Sequence, residues 1–160
     1  MRAAWLVLLA VLVIGGCSAE VNGAPAKDDS PTVGNVALAV PIEMRPVVES
    51  GGTIVKDPQT GETLHVDDPM MTIEHLDGAE IGQDQSGGWM LTIHLNDKNA
   101  ATFADWTAGH TGERLAVLID DEVVLAPTIQ SAIDGGDIQI SGKFTKKDVE
   151  ELLDKITGRG

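Results

Sequence analysis

The four histidines are the side chains of this sequence best suited to holding a metal ion: His65, His75, His94 and His110. No two of them have the spacing of ligands on one helix face or on one strand face, and no H-E-x-x-H motif occurs. A site would need distant segments, such as Glu74 with His75 meeting His94 if their strands pair. We therefore predict no metal site and no cofactor, and we expect His94 to be a solvated side chain.

Carboxylates, serines and paired glycines are the other groups that could support chemistry. The candidate calcium clusters are Asp67 with Asp68, Asp120 with Asp121 and Glu122, and Asp134 with Asp137. None matches the D-x-[DN]-x-[DN]-G loop, and turn formation explains them equally well. There is no G-x-S-x-G or S-x-x-K motif, and neither Gly87-Gly88 nor Gly135-Gly136 leads from a strand into a helix with a lysine in place. We predict no catalytic residue and no enzyme activity.

Cys17 is the only cysteine, so the chain has neither an internal disulfide framework nor a cysteine-based metal site. The chain begins with a basic residue, Arg2, and continues with an uncharged run from Ala3 to Ile14 that is too short to span a membrane. Two glycines then precede Cys17, as small residues do at the end of a secretory signal. Ile14-Gly15-Gly16-Cys17 resembles the lipobox of bacterial lipoproteins. That resemblance implies cleavage after Gly16 and a diacylglyceryl group on the Cys17 thiol. The alternative is an ordinary signal peptide with a chance cysteine.

Composition excludes several classes of partner. The chain has 11 basic and 25 acidic residues, for a net charge of −14. Such a surface repels nucleic acid and anionic lipid headgroups, so we expect neither as a direct ligand. The five aromatic residues, none of them tyrosine, make a base-stacking platform improbable, and Trp89 and Trp106 are expected to pack in the core.

Three segments are predicted along the chain. Residues 1–16 form a lipoprotein signal peptide, and residues 17–34 comprise the lipidated cysteine and a flexible tether rich in Ala, Pro, Gly, Ser and Asp. The 17 residues of this tether after Cys17 have a root-mean-square reach of roughly 20–25 Å. Residues 35–160 carry regular apolar patterns and form one domain, with 9 basic and 22 acidic side chains.

Apolar alternation predicts the strands of this domain. They are Val36–Val48, an edge or interrupted strand because of Pro41 and Pro46; Thr72–Leu76; Trp89–Leu95, an edge strand with His94 on its solvent side; Leu115–Ile119, apolar on both faces and hence central; Val123–Ala126; and a last strand around Ile138 and Ile140. Residues 51–68 are expected to be an exposed excursion with a turn at residues 57–61, and residues 129–133 are short and mixed.

Two helices complete the domain. The first is capped by Asn96 or Asp97 and runs to about Ala108. The second follows a capping box of Thr145 and Asp148 and ends at Gly158, with Val149, Leu152, Leu153 and Ile156 on one face. The order of elements predicts an α+β fold, a mostly antiparallel sheet with two helices packed on one face.

Several motifs in this order resemble a known family. They are Phe103-Ala-Asp-Trp-Thr107, Gly112-Glu-Arg-Leu-Ala-Val-Leu-Ile-Asp120, Ala126-Pro-Thr-Ile129, Ile133-Asp-Gly-Gly136 and Ile140-Ser-Gly-Lys-Phe-Thr145. Together they resemble the head subdomain of the first periplasmic domain of SecD, a membrane subunit of the bacterial protein-export machinery. One departure is Asp120-Asp121, where the family commonly has Asp-Gly in a hairpin turn.

The resemblance and the lipobox together imply a membrane-anchored, extracytoplasmic, non-catalytic module that binds an extended polypeptide by strand addition. The implied partners are an exported chain, an envelope protein or Sec translocon components, with the membrane reached through lipid on Cys17. Since no transmembrane helices follow the domain and there is no room for the base subdomain that carries the head in SecD, we expect only the binding surface to carry over. The alternative is a structural or scaffolding envelope lipoprotein with no export role. An exposed apolar groove or unpaired strand edge would favour the first hypothesis, and a fully covered sheet the second.

Overall fold

The computed structural model describes residues 31–159. The expected signal peptide, Cys17 and residues 18–30 of the expected tether lie outside these residues. The end of the tether was placed too late in the chain, because Thr32 and Val33 form a short strand that pairs with Glu80 and Ala79, and Val33 is buried in the main core. The described elements are β1 (Thr32–Val33), β2 (Val36–Val48), β3 (Thr53–Lys56), β4 (Thr63–Val66), β5 (Met71–Gln83), β6 (Trp89–Leu95), α1 (Asp97–Gly109), β7 (Leu115–Ile119), β8 (Glu122–Leu125), β9 (Asp137–Ser141) and α2 (Lys146–Thr157).

The main sheet has the spatial order β8-β7-β2-β5-β6-β9, and all its pairs are antiparallel. Strand β2 is interrupted, as predicted, by a register shift between Ala37 and Ile42, next to Pro41. The expectation that it is an edge strand was wrong, because Ile42 to Met44 pair with β5 on one side and β7 on the other. Pro46 is tolerated because β2 changes partner there, and Val47 continues into a pairing with β4.

The segment at residues 51–68 is a hairpin and not the exposed excursion that composition suggested. Strands β3 and β4 pair in register from Thr53 opposite Val66 to Lys56 opposite Thr63. The turn at residues 57–61 is present, closed by a 2.7 Å hydrogen bond from the Gly61 N–H to the Asp57 carbonyl. The hairpin was missed because its two strands have only four residues each, with just Leu64 and Val66 buried, and because Gly, Asp, Pro and Thr around them favour turns.

Strand β7 is central, as its sequence predicted, and it separates two clusters of buried side chains. Leu115, Val117 and Ile119 lie in the main core beneath the helices. Ala116 and Leu118 point to the opposite face and form a second cluster with Val66 of β4 and Val123 of β8. The β3–β4 hairpin therefore covers the outer face of β7, which explains why β7 is apolar throughout.

Both helices pack against the main core. Asn96 caps α1, which buries Phe103 and Thr107. The capping box of Thr145 and Asp148 begins α2, and Gly158 follows its end with φ of 70°. The predicted α+β fold with an antiparallel sheet and two helices is confirmed.

The turn between β7 and β8 consists of Asp120 and Asp121, both in the left-handed region with φ of 56° and 62°. Two consecutive residues with positive φ form the tight turn whose twist matches a hairpin, as the sequence predicted. Aspartate tolerates this conformation better than most residues, although at a greater cost than glycine.

Candidate functional site

The outer side of β9 is an open edge of the main sheet. Met90 to His94 of β6 pair with Ser141 to Asp137 of β9, and no strand among residues 31–159 pairs with the other side of β9. The prediction that β6 forms the edge, with His94 on it, was wrong. Strand β6 lies between β5 and β9, so the unpaired backbone groups belong to β9.

An apolar groove lies beside this edge. Its volume is about 280 Å³, and its apolar lining comes from Met44, Phe103, Leu115, Val117, Leu125, Pro127, Ile129, Ile133 and Ile138. Asp137, at the start of β9, is the one charged side chain of the lining. The volume is at the lower limit of small-molecule sites, whereas one or two aliphatic side chains of an extended segment would fill it. An open edge and an apolar groove together match what strand addition requires.

The segment at residues 126–133 forms one wall of the groove. Backbone hydrogen bonds to residues 112–115 hold its first half. The Leu115 N–H donates to the Pro127 carbonyl at 3.0 Å, and Ile129 exchanges hydrogen bonds with Gly112 and Glu113, both at 2.8 Å. Ile129 is 4% exposed. The Ala126-Pro-Thr-Ile129 motif therefore builds a groove wall, a role that its sequence did not reveal.

Thr107 holds the second half of this wall. Its side chain is fully buried, and its Oγ1 accepts a 3.0 Å hydrogen bond from the Ile133 N–H. The same hydroxyl donates to the Ala104 carbonyl at 3.2 Å within α1. The Thr107 hydroxyl therefore links the groove wall to helix α1.

Arg114 links the wall to the β3–β4 hairpin. Its Nε donates to the Ala126 carbonyl at 3.2 Å, and one terminal nitrogen lies 2.9 Å from Glu62 Oε2. The other terminal nitrogen lies 3.5 Å from Asp57 Oδ2, on a side chain that is only 3% exposed. Sequence reasoning missed this cluster. The only signal was a charged residue standing directly before an all-apolar strand.

A histidine–carboxylate pair lies at the start of β9. His94 Nδ1 is 2.7 Å from Asp137 Oδ1, and the two side chains are 34% and 62% exposed. His94 is therefore paired across two strands and only partly solvated. Glu74 and His75 do not reach it, because the register places Gly78 opposite His94.

Two of the other histidines, His65 and His110, bond to backbone carbonyls. His65 Nδ1 lies 2.9 Å from the Gly51 oxygen, and His110 Nδ1 lies 2.7 Å from the Trp106 oxygen. Within residues 31–159, no three histidine, cysteine, aspartate or glutamate side chains are grouped as metal ligands would be.

The two described tryptophans pack against the main core, as the sequence predicted, and both are half-buried. The Lys146 ammonium lies 5.5 Å from the centroid of the Trp89 ring. Trp106 stacks on His110, with ring centroids 3.9 Å apart and an interplanar angle of 7°. Neither ring belongs to the groove lining, so Phe103 is the one aromatic residue of that lining.

The lysines near the start of α2 are largely compensated by acidic partners. Lys146 lies 3.6 Å from Glu150, and Lys147 pairs with Glu151. The hydrogen bond that the Lys147 ammonium donates to the Glu151 carboxylate raises the pKa of Lys147 above its ordinary value. Lys146 and Lys147 therefore form ion pairs on the helix surface and do not make a binding patch for an anion.

The acidic residues of the β7–β8 turn also have a cationic partner. Lys155 of α2 lies 3.2 Å from Asp120 Oδ2 and 3.0 Å from Glu122 Oε2. The hydrogen bond to Glu122 is the main cause that raises the pKa of Lys155. The Lys155 ammonium therefore takes the place that a cation bound by Asp120 and Glu122 would take. Turn formation remains the simpler explanation of this acidic cluster.

These features define an α+β domain with an apolar groove beside an open strand edge. The model of the family described as "SecDF, P1 head subdomain" matches residues 52–157. The chain belongs to this family.

Its relatives include subunits of bacterial protein translocases. The protein translocase subunit SecD of Rhodobacter capsulatus is 35% identical over 107 residues, which cover 66% of this chain and 19% of that protein. SecD of Sebaldella termitidis is 36% identical over 130 residues, or 71% of this chain and 32% of that protein. SecD of Mycobacterium tuberculosis is 41% identical over 87 residues, or 52% of this chain and 15% of that protein. The chain therefore spans less than a third of the length of each of these relatives.

Two solved structures share the fold. One, described as a membrane component SecDF that enhances protein export, has a TM-score of 0.58 and 24% identity, and the match covers 73% of this chain and 62% of that chain. SecDF in its super-membrane-facing form has a TM-score of 0.54 and 23% identity, covering 70% of this chain and 18% of that one. Between residues 31 and 159, no helix of this protein is both long and apolar enough to cross a bilayer.

Proposed function

We propose that this protein is a membrane-anchored, extracytoplasmic and non-catalytic module that holds an extended polypeptide in connection with Sec-dependent export. The observation that carries the proposal is the apolar groove beside the unpaired edge of β9. A segment in extended conformation would pair its backbone with β9 and place an aliphatic side chain in the groove. Membership of the SecDF P1 head family supports the connection to export.

The size of the site favours weak, sequence-tolerant binding. Strand β9 has five residues, so an added strand would form only a few backbone hydrogen bonds. Burying one aliphatic side chain contributes about 1.5–3 kcal/mol, whereas ordering each residue of a flexible segment costs about 1–2 kcal/mol. The free energy gained by burial is therefore largely offset by the cost of ordering, and the complex is transient. A module that releases a moving polypeptide requires such weak binding.

Electrostatics also restrict the partner. The domain at residues 35–160 has 9 basic and 22 acidic side chains, a net charge of −13. Asp137, the one charged residue of the groove lining, adds negative charge at the groove itself. A neutral or basic apolar segment would be attracted, whereas nucleic acid and acidic segments would be repelled.

Attachment to the membrane is proposed to occur through lipid on Cys17. The support is the Ile14-Gly15-Gly16-Cys17 sequence and its place directly after a short apolar run. The tether that follows ends where β1 begins at Thr32, and its root-mean-square reach of roughly 20 Å would keep the groove close to the bilayer and to a translocon within it.

Site-specific photocrosslinking in intact cells tests this function. A photoreactive amino acid would replace Gln139, an exposed residue of β9 that lines the groove. The matched control would carry it at Lys147, which is exposed on α2 and outside the groove lining. We expect adducts with secreted chains or translocon subunits from Gln139 and not from Lys147. Adducts with unrelated envelope proteins alone would contradict the export role and favour a scaffolding lipoprotein.

A further inference from the structure

We propose that the turn between β3 and β4, residues 57–62, is a strap that closes one end of the groove, and that Gln59 sets the length of segment that the groove accepts. This inference rests on the proposed function and adds a specificity-determining residue to it. It follows from the contacts of the turn with Arg114, which bonds to the Ala126 carbonyl at the start of one wall, and with Gly142 and Lys143, which directly follow β9 on the other side.

On the first wall, the strap is anchored through a buried charge. The carboxylate of Asp57, on a side chain that is 3% exposed, lies 3.5 Å from the Arg114 guanidinium. Arg114 in turn holds the Ala126 carbonyl, immediately before Pro127 of the groove lining. Separating a buried ion pair is costly, so this end of the strap is fixed.

On the second wall, the strap is held by a single hydrogen bond. The Lys143 N–H, two residues beyond the end of β9, donates to Gln59 Oε1 at 3.1 Å. The Gln59 side chain also covers Gly142, where a Cβ atom would lie 2.8 Å from its Oε1. A glycine at position 142 therefore leaves room for the latch, and Gln59 is the part of the strap that can release.

Hydrogen bonds within the turn hold its backbone in place. The Asp57 N–H donates to the Glu62 carbonyl at 2.9 Å, and the Gln59 N–H donates to Asp57 Oδ1 at 2.8 Å. These bonds fix the position of Gln59 relative to the anchored aspartate. Only the Gln59 side chain needs to move for the end of the groove to open.

The position of the strap implies a length limit. Gln139 lines the groove and Gly142 lies under the strap, a separation of about 10 Å along an extended chain. A segment of about five residues would pair with β9 without reaching the strap. A longer segment would have to displace Gln59 from Lys143, and the net loss of one neutral hydrogen bond weakens binding about fivefold.

Four variants of the full-length protein separate these roles. Gln59→Ala removes the side chain that accepts from the Lys143 N–H. Gly142→Ala places a methyl group where the Gln59 side chain lies and so displaces it, and φ of Gly142 lies outside the left-handed range, so alanine fits the backbone there. Gln59→Glu retains an oxygen that can accept from Lys143, and Thr60→Ala alters an exposed residue of the same turn. Fluorescent peptides of alternating valine and threonine with a terminal lysine, about five or about nine residues long, serve as the probes.

Fluorescence anisotropy gives the affinity of each variant for each peptide. We expect Gln59→Ala and Gly142→Ala to bind the longer peptide about fivefold more tightly than the wild type, with unchanged affinity for the shorter one. Gln59→Glu and Thr60→Ala should bind both peptides as the wild type does. Equal affinities for the longer peptide across all variants, with the peptide crosslinked to β9, would overturn the strap and leave the proposed function intact. Absence of binding to every variant would overturn both.

Discussion

The Thr107 hydroxyl gives the sharpest test of how the groove wall is held. Thr107→Val replaces the side chain by one of the same shape, so it leaves no cavity. It removes the acceptor of the 3.0 Å hydrogen bond from the Ile133 N–H. Because Ile133 is half-buried, its N–H is left without a full replacement by water. The cost of such an unsatisfied donor is about 1–2 kcal/mol.

Thermal and urea unfolding would measure this cost. For a domain of this size, we expect the Tm to fall by about 3–10 °C, with no change in the urea m-value. Hydrogen exchange resolved to single residues should also show faster exchange of the Ile133 amide. This local effect separates a loosened wall from a general loss of stability.

Thr102→Val is the matched control on the same helix. Thr102 is exposed, and its hydroxyl donates to the Lys98 carbonyl at 3.0 Å in the way that Thr107 donates to Ala104. Its replacement should change stability by less than about 0.5 kcal/mol. If Thr107→Val and Thr102→Val had equal effects, or if the Ile133 amide kept its protection, the reasoning about the wall would be refuted.

Three further predictions concern the turn, the second helix and the anchor. Asp121→Gly should stabilise the domain by about 0.5–1 kcal/mol in urea unfolding, because φ at this position is 62°; a loss of stability would show that the Asp121 side chain matters more than its backbone. The Thr145 backbone N–H and hydroxyl hold the pKa of Asp148 below its ordinary value of 3.8, so its contribution is present above that pH and is lost as the pH falls through the lowered pKa. Asp148→Ala should therefore reduce the dependence of stability on pH in the acid range, and an unchanged acid limb would contradict the capping account. Cys17→Ser should abolish incorporation of labelled palmitate and partition into detergent, and retained labelling would refute lipidation at Cys17.

Elements governed by local rules could be predicted from the sequence. The α2 helix is specified by its own capping box, apolar face and terminal glycine, and strand β7 by an unbroken apolar run. The β3–β4 hairpin was missed because its strands have only four residues each, and because the cluster that Val66 joins is completed by residues of β7 and β8, which are distant in the sequence.

The candidate site depends on contacts between distant residues, which a single sequence does not specify. Arg114 contacts Asp57 and Glu62, and His94 contacts Asp137 forty-three positions away. The sequence predicted the β9 strand, but which strand forms the edge depends on the pairing order of the whole sheet. The lipobox, in contrast, is a local motif, and its prediction concerns residues outside the described range.

Hydrogen exchange of the β9 amides tests most directly the claim that an extended polypeptide binds by strand addition. The wild-type protein would be measured with and without a saturating valine–threonine peptide of about five residues. Newly acquired protection of amides in Asp137–Ser141, together with slower exchange at residues 126–133, is the predicted result. Protection confined to another strand, such as β3 or β8, or no new protection while the peptide is bound, would contradict the account.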